Sequence, residues 1–241
     1  MIITGERIDI HAHIAVTPPP FAERYGDPRW PSLQIDGAVG RLYREGNVVR
    51  TLSAAAWSLE ARLEDLDATR LDCQVVSPVP PMICETGAAD LDAEWARHLN
   101  RGIAAAVAQC PTRFAGLGTV PLGHPEQAVE TMKACPGLSV CLSHGGGTFA
   151  WALPRIAHMW DARHDVTAAE LVRNIYVDTV VFDAPNIRYL VDRLGADHVL
   201  FGTDHPMPGC DSLRGAALDQ LGPAERQLIE RDNICSLLSR D

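Results

Sequence analysis

The sequence predicts a parallel α/β fold of six strands alternating with helices, and three observations predict it. Short β-branched or apolar runs alternate with stretches of helical period along the chain. Helix-start residues, such as Ser58, Pro125, Pro185 and Pro223, open several of those stretches. With 241 residues, 46% of them hydrophobic, the chain is long enough to bury a sizeable core in one domain, residues 1–241. Such alternation implies right-handed βαβ crossovers and a parallel sheet with helices outside it.

The first strand is Arg7 to Ile14, RIDIHAHI, in which Ile8 and Ile10 alternate with Asp9 and His11. Residues 15–57 hold PPP, GDPRWP and DGAVGR and show no sustained period; a connection of that length reads as a lid inserted in the domain. Ser58 caps a helix with Leu59, Leu63 and Leu66, followed by the strand Cys73 to Ser77. Next come a helix with Trp95, Leu99, Ile103 and Val107, a strand from Phe114 to Val120, a helix from Pro125 to about Cys135, and a strand from Leu138 to Ser143. A helix after Gly147 and another near Ala168 precede the strand Ile175 to Asp178, a helix with Pro185 at its first position and the strand His198 to Phe201. Two helices close the chain, the last from Pro223 with Leu228, Ile229, Leu237 and Leu238 roughly on one face. A barrel of eight such units takes about 250 residues, so with 15–57 devoted to one connection, eight do not fit comfortably.

A net charge of -10 with no clustered Lys or Arg excludes a nucleic-acid surface. No run of about 18 apolar residues and no basic segment leading into an apolar one occurs, so neither a membrane span nor a secretion signal is expected, and the expected compartment is the cytoplasm. The seven cysteines lack CxxC spacing and read as reduced core residues, with Cys73 and Cys141 inside strand-like runs.

Chemistry in a parallel α/β barrel gathers at the C-terminal ends of its strands. His11-Ala12-His13 puts two imidazoles on one face of the first strand, set to grip one metal ion; taken alone, an HxH on a surface is as good a reading. In Ser143-His144-Gly145-Gly146-Gly147 an apolar strand delivers a histidine, and the glycines let the backbone pass close to a ligand. Phe201-Gly202-Thr203-Asp204 runs another apolar strand into an acid that can serve as a hard ligand, a proton-transfer group or a loop hydrogen-bonder. The conjunction of the three favours a functional site.

IDIHAH, LSHGGG and FGTDHP, in this order at strand ends, resemble the aminocarboxymuconate semialdehyde decarboxylase branch of the amidohydrolase superfamily. The likeness extends through EGNVVR, LEDLDATRLDCQVVSPVP, PTRFAGLGTVPL and PRIAHMW. It implies a TIM-barrel-like fold and one divalent ion, zinc by expectation. It also implies nonoxidative decarboxylation of a small unsaturated or aromatic carboxylate, that is, a carboxy-lyase, and it makes a homodimer reasonable. By the resemblance His11, His13 and Asp204 match metal ligands, and Asp204 also stands as a catalytic residue. His144 matches the histidine that activates the metal's water, and Arg50 an arginine that pairs with a substrate carboxylate. Arg155 and His158 match the helix after the glycines, without an assigned role.

The family carries two further strands before the HGGG strand, the later of them ending in a third imidazole ligand. Here ETMKAC runs straight into Pro136-Gly137-Leu138, so the resemblance implies an internal segment missing between Cys135 and Pro136. The barrel is then expected to fall short of eight strands and either to close unusually or to stay open. His124 and His205 are the two histidines weighed as substitutes. Two alternatives share nearly every residue named: a metal-dependent hydrolase of an ester, lactone or amide, and an impaired barrel remnant that acts as a binding protein.

Overall fold

In chain order the strands are β1 (Ile8–Ile14), β2 (Ser32–Asp36), β3 (Val39–Arg44), β4 (Asn47–Ser53), β5 (Cys73–Pro78), β6 (Phe114–Gly116), β7 (Val140–Leu142), β8 (Ile175–Asp178) and β9 (Val199–Leu200). The α-helices are α1 (Phe21–Tyr25), α2 (Leu59–Thr69), α3 (Ala89–Gln109), α4 (Phe149–Asp161), α5 (Ala168–Val172), α6 (Ala184–Leu194), α7 (Pro223–Gln227) and α8 (Asn233–Leu238). This computed structural model describes residues 5–121, 123–124, 126–127, 130, 134, 139–207 and 215–239. The expected helix from Pro125 to about Cys135 and the junction at Pro136 fall largely outside those residues.

β1 is buried along its whole length: Ile8, Ile10, Ala12 and Ile14 pack in the apolar core, and Asp9, His11 and His13 alternate with them as buried polar residues. It pairs in parallel with β5, and β5 with β6. On its other side the segment just past β9 runs beside it: Ile10 N donates to Phe201 O, Asp204 N to His11 O and His13 N to His205 O, each at 2.8 Å. β9 pairs with β8, and β8 with β7, again in parallel. Among the described residues, six parallel strands therefore follow one another as β7, β8, β9, β1, β5, β6, a TIM-barrel-like β/α fold short of eight strands there. Among the described residues β6 and β7 share no ladder, and they are the two strands that flank the expected missing segment.

The helices lie where the periodicity puts them. Ser58 Oγ accepts from Ala61 N at 3.2 Å and starts α2, and Asp183 caps α6 one residue ahead of expectation, with Pro185 in the first turn. The final run is interrupted by a π-helical turn, Leu228–Asp232, whose Ile229 carbonyl accepts from Phe201 N at 3.0 Å and so fastens the strand leading to Asp204. The five described cysteines are thiols outside any disulfide, as expected; Cys73 is buried, its thiol pushed up to about 11 by burial, whereas Cys141 is only half-buried on β7. No described helix is long and apolar enough to cross a membrane.

Residues 15–57 correct the expectation of an aperiodic connection, because they hold α1 and an antiparallel sheet ordered β2-β3-β4. Its turns were signalled by Asp36-Gly37 and Glu45-Gly46: Gly37 has φ 58°, while Glu45 and Gly46 have φ 51° and 75°. The alternation was obscured by Gly40, where a Cβ would stand 2.5 Å from the Trp57 ring. Leu42 and Leu52 are buried on the inner face, joining Phe21, Trp30, Val79, Met82, Trp95 and Leu99 in a core of their own. Trp95 Nε1 donates to Met82 O at 2.7 Å at the centre of that core. Trp95→Ala is expected to lower stability by about 3–5 kcal/mol in urea unfolding; a loss below about 1 kcal/mol would mean that this core does not anchor the sheet.

Candidate active site

The sequence-expected ligands come together at one end of the sheet. His11 Nε2 lies 3.1 Å from His13 Nε2, and Asp204 Oδ1 lies 2.9 Å from His13 Nε2 and 3.5 Å from His11 Nε2. Two donor atoms each about 2.0–2.2 Å from one ion, at angles between square and tetrahedral, stand about 3–3.5 Å apart, so the triangle has the size of half a coordination shell. His11 and His13 are buried and Asp204 half-buried.

The far nitrogens explain why the near ones converge. His13 Nδ1 sits 3.2 Å from Pro78 O, which can only accept, and 2.9 Å from Ser77 Oγ. His11 Nδ1 sits 2.6 Å from Asp178 Oδ2, another acceptor. When neutral, both rings thus carry hydrogen on Nδ1 and present the Nε2 lone pair inward. With Asp204 Oδ1 added, three lone-pair atoms face one another, which is repulsive unless a cation or a proton lies among them.

The electrostatics follow. Burial works against a charged His11 ring, but the Asp178 hydrogen bond and the charges of Asp178, Asp204 and Asp9 outweigh it and hold its pKa above the usual 6.5. Burial likewise works to raise Asp204, but when a proton occupies His13 Nε2 that ring donates to the carboxylate, and with the charges of His13, His11 and His144 this overcomes burial and leaves the carboxyl below its usual range. Asp9 is the opposite case: burial dominates and pushes its carboxyl up, although Thr203, Gln74 and the His11 amide all donate to it.

That Asp9 cluster holds the two ligand-bearing segments together. Thr203 belongs to the Asp204 segment, Gln74 to β5 and Asp9 to β1. From α2 the buried Arg62 extends the cluster, donating to Gln74 Oε1 at 2.8 Å and to His13 O. Burial lowers the Arg62 pKa to about 10, so the guanidinium keeps its charge at neutral pH.

His144 follows β7, exposed, its ring centroid 5.1 Å from that of His11. The turn needs its glycines: Gly145, Gly146 and Gly147 all have positive φ, and a Cβ on Gly145 would meet Val181 at 2.6 Å. Arg50 is not joined to the triad by any described hydrogen bond or ion pair. Its cross-strand partner Leu42 nevertheless places it on the inner face of the antiparallel sheet, and its Nε is buried without a partner. The two substitute histidines are committed elsewhere, His124 to Asp92 at 3.0 Å and His205 to Asp65 at 3.2 Å. Arg155 and His158 are exposed on α4. Asp178 was passed over in the sequence although it ends a strand, the same signal that marked Asp204.

The amidohydrolase family model matches residues 130–239. A 2-amino-3-carboxymuconate-6-semialdehyde decarboxylase from Dictyostelium discoideum is 23% identical over 307 residues, covering 89% of this chain and 86% of the relative. That alignment is longer than this chain's 241 residues, as it must be when the relative carries segments this chain lacks. The enzyme of the same name from Caenorhabditis elegans is 28% identical over 95 residues, covering 36% of this chain and 24% of its own. The fold is that of 5-carboxyvanillate decarboxylase from Sphingomonas paucimobilis, with a TM-score of 0.71 at 16% identity over 97% of this chain and 99% of that one. A dihydroxybenzoic acid decarboxylase from a Polaromonas species, solved with bound manganese and an inhibitor, gives 0.68 at 16% identity over 99% and 98% of the two chains. The resemblance to the amidohydrolase superfamily and its aminocarboxymuconate semialdehyde decarboxylase branch is borne out.

His205 makes the site's acid sensitivity testable. Burial, with Arg62 nearby, lowers its pKa from 6.5 to about 4, so the unfolded chain takes this proton first and stability falls as pH drops through that window. His205→Asn is expected to flatten the fall of melting temperature between those pH values in metal-free protein; an unchanged slope would show that His205 is not the group responsible.

Proposed function

We propose that this protein is a metal-dependent nonoxidative decarboxylase of a small unsaturated or aromatic carboxylate, holding one divalent ion on His11, His13 and Asp204. The carrying observation is the convergence of His11 Nε2, His13 Nε2 and Asp204 Oδ1 on one point. Relatives and structural neighbours named as decarboxylases give the reaction class. Two imidazoles and a carboxylate with an open position make a donor set suited to catalytic zinc. Bound there, the ion would polarise the substrate's oxygens and lower the pKa of a water toward about 7.

The chain's own residues have the remaining tasks. Decarboxylation breaks a carbon–carbon bond, leaves the electron pair on the substrate carbon as CO₂ departs, and requires a proton on that carbon. His144, exposed with its ring centroid 5.1 Å from that of His11, would hold and pass a proton, a role its nearness to the triad supports. Asp204, half-buried and turned toward the same point, is the second group able to do so. Arg50, whose Nε has no hydrogen-bond partner among the described residues, can pair with a substrate carboxylate. The sheet that bears it, within residues 15–57, serves as the lid that excludes water.

Purified protein is expected to hold about one equivalent of divalent metal, lost on His11→Ala and released as pH falls, because protons compete for the histidine whose pKa is raised. With 2,6-dihydroxybenzoate or 5-carboxyvanillate as probes, CO₂ release should fall about 10²–10⁴-fold in His144→Ala. Metal-loaded protein that cleaves esters and releases no CO₂ would make it a hydrolase, and wild type that retains no metal would sink the enzyme reading.

A further inference from the structure

Asp178 ends β8 with 1% of its surface exposed, and both of its oxygens are engaged. Oδ2 meets His11 Nδ1 at 2.6 Å, while Oδ1 accepts from Gly145 N at 3.0 Å and from Val180 N at 3.1 Å. One side chain thus touches a ligand on β1, its own strand end, and the glycine turn that carries His144. None of these contacts comes from a neighbouring residue on β1, so His11 is oriented from two strands away in the sheet.

We propose that Asp178 is a positioning residue that fixes the tautomer and direction of His11, so that the Nε2 lone pair faces His13 and Asp204, and that it ties that ring to the His144 turn. The inference rests on reading the triad as a metal site. A carboxylate offers only acceptors, so the ring hydrogen must sit on Nδ1 and the opposite nitrogen is left free to ligate.

The hydrogen-bond directions separate this role from packing. In Asp178→Asn the Oδ1 position still faces two backbone N–H groups and stays oxygen, which leaves the amide NH₂ facing His11 Nδ1. Two donors cannot share that contact. His11 must then accept at Nδ1 and carry its hydrogen on Nε2, pointing a hydrogen at the other two ligands. Asp178→Ala imposes no direction and leaves the ring free to choose. The isosteric variant should therefore be the worse one, whereas a packing role predicts the reverse.

The test measures zinc affinity of wild type, Asp178→Ala and Asp178→Asn by competition with a chromophoric chelator, together with imidazole ¹⁵N shifts of the zinc-free proteins at a pH that keeps the rings neutral. Expected are affinities falling in the order wild type, Ala, Asn, with the last about 100-fold down, and a His11 tautomer that moves from Nδ1–H to Nε2–H in the Asn variant. Asparagine binding zinc as well as alanine or better overturns the proposal. So does wild-type His11 with its hydrogen on Nε2, a result that needs neither variant to fold. Wild type that binds no zinc removes the metal reading, and the nitrogen shifts then decide the proposal: an unchanged tautomer in Asp178→Asn overturns it, and the switch sustains it.

Discussion

Three acceptor atoms facing one another inside a protein repel, and much of the surrounding polar structure holds them in place against that repulsion. His11 and His13 cannot rotate away because Asp178, Pro78 and Ser77 hold their outer nitrogens. Asp204 cannot retreat because its backbone N–H is bonded to His11 O and the preceding Thr203 is bound to Asp9. Buried polar groups hold such an arrangement only when each is satisfied, and the Asp9, Gln74, Thr203 and Arg62 cluster is nearly so, with Arg62 Nε its one unpartnered atom. Preorganisation of this kind suits ligands that should lose little freedom when an ion binds.

The site was legible in the sequence because strand geometry fixes it. An HxH with period two has to put both rings on one side, and apolar strands that end in a histidine or an acid identify themselves. Asp178 was less legible because the strand IYVD has no glycine turn or second histidine after it to attract notice. Its role depends on β8 lying two places from β1 in the sheet, and no local pattern encodes that adjacency. Arg50 was legible only by likeness, since an arginine in NVVRTLS has no chemical signature of its own.

The fold divides in the same way. The parallel strands were found where apolar runs are long, and were overextended where sheet pairing stops early: β6 ends at Gly116 although the apolar run continues to Val120. The antiparallel sheet in residues 32–53 escaped notice because it is one face deep, with Gly40 making room for Trp57. Its inner leucines become meaningful only beside Trp30, just ahead of β2, and Trp95, which reaches them from α3. Among the described residues β6 and β7 have no outer ladder partner. A barrel short of eight staves can still align β1 with its two neighbours, and the triad draws only on β1 and the segment beside it.

X-ray absorption at the zinc edge of reconstituted protein tests the convergence of His11, His13 and Asp204 most directly. The account predicts one ion with two imidazole nitrogens at about 2.0–2.1 Å and carboxylate or water oxygens completing the shell. A shell of oxygens alone, or one unchanged when His11 and His13 are both replaced by Ala, would contradict it.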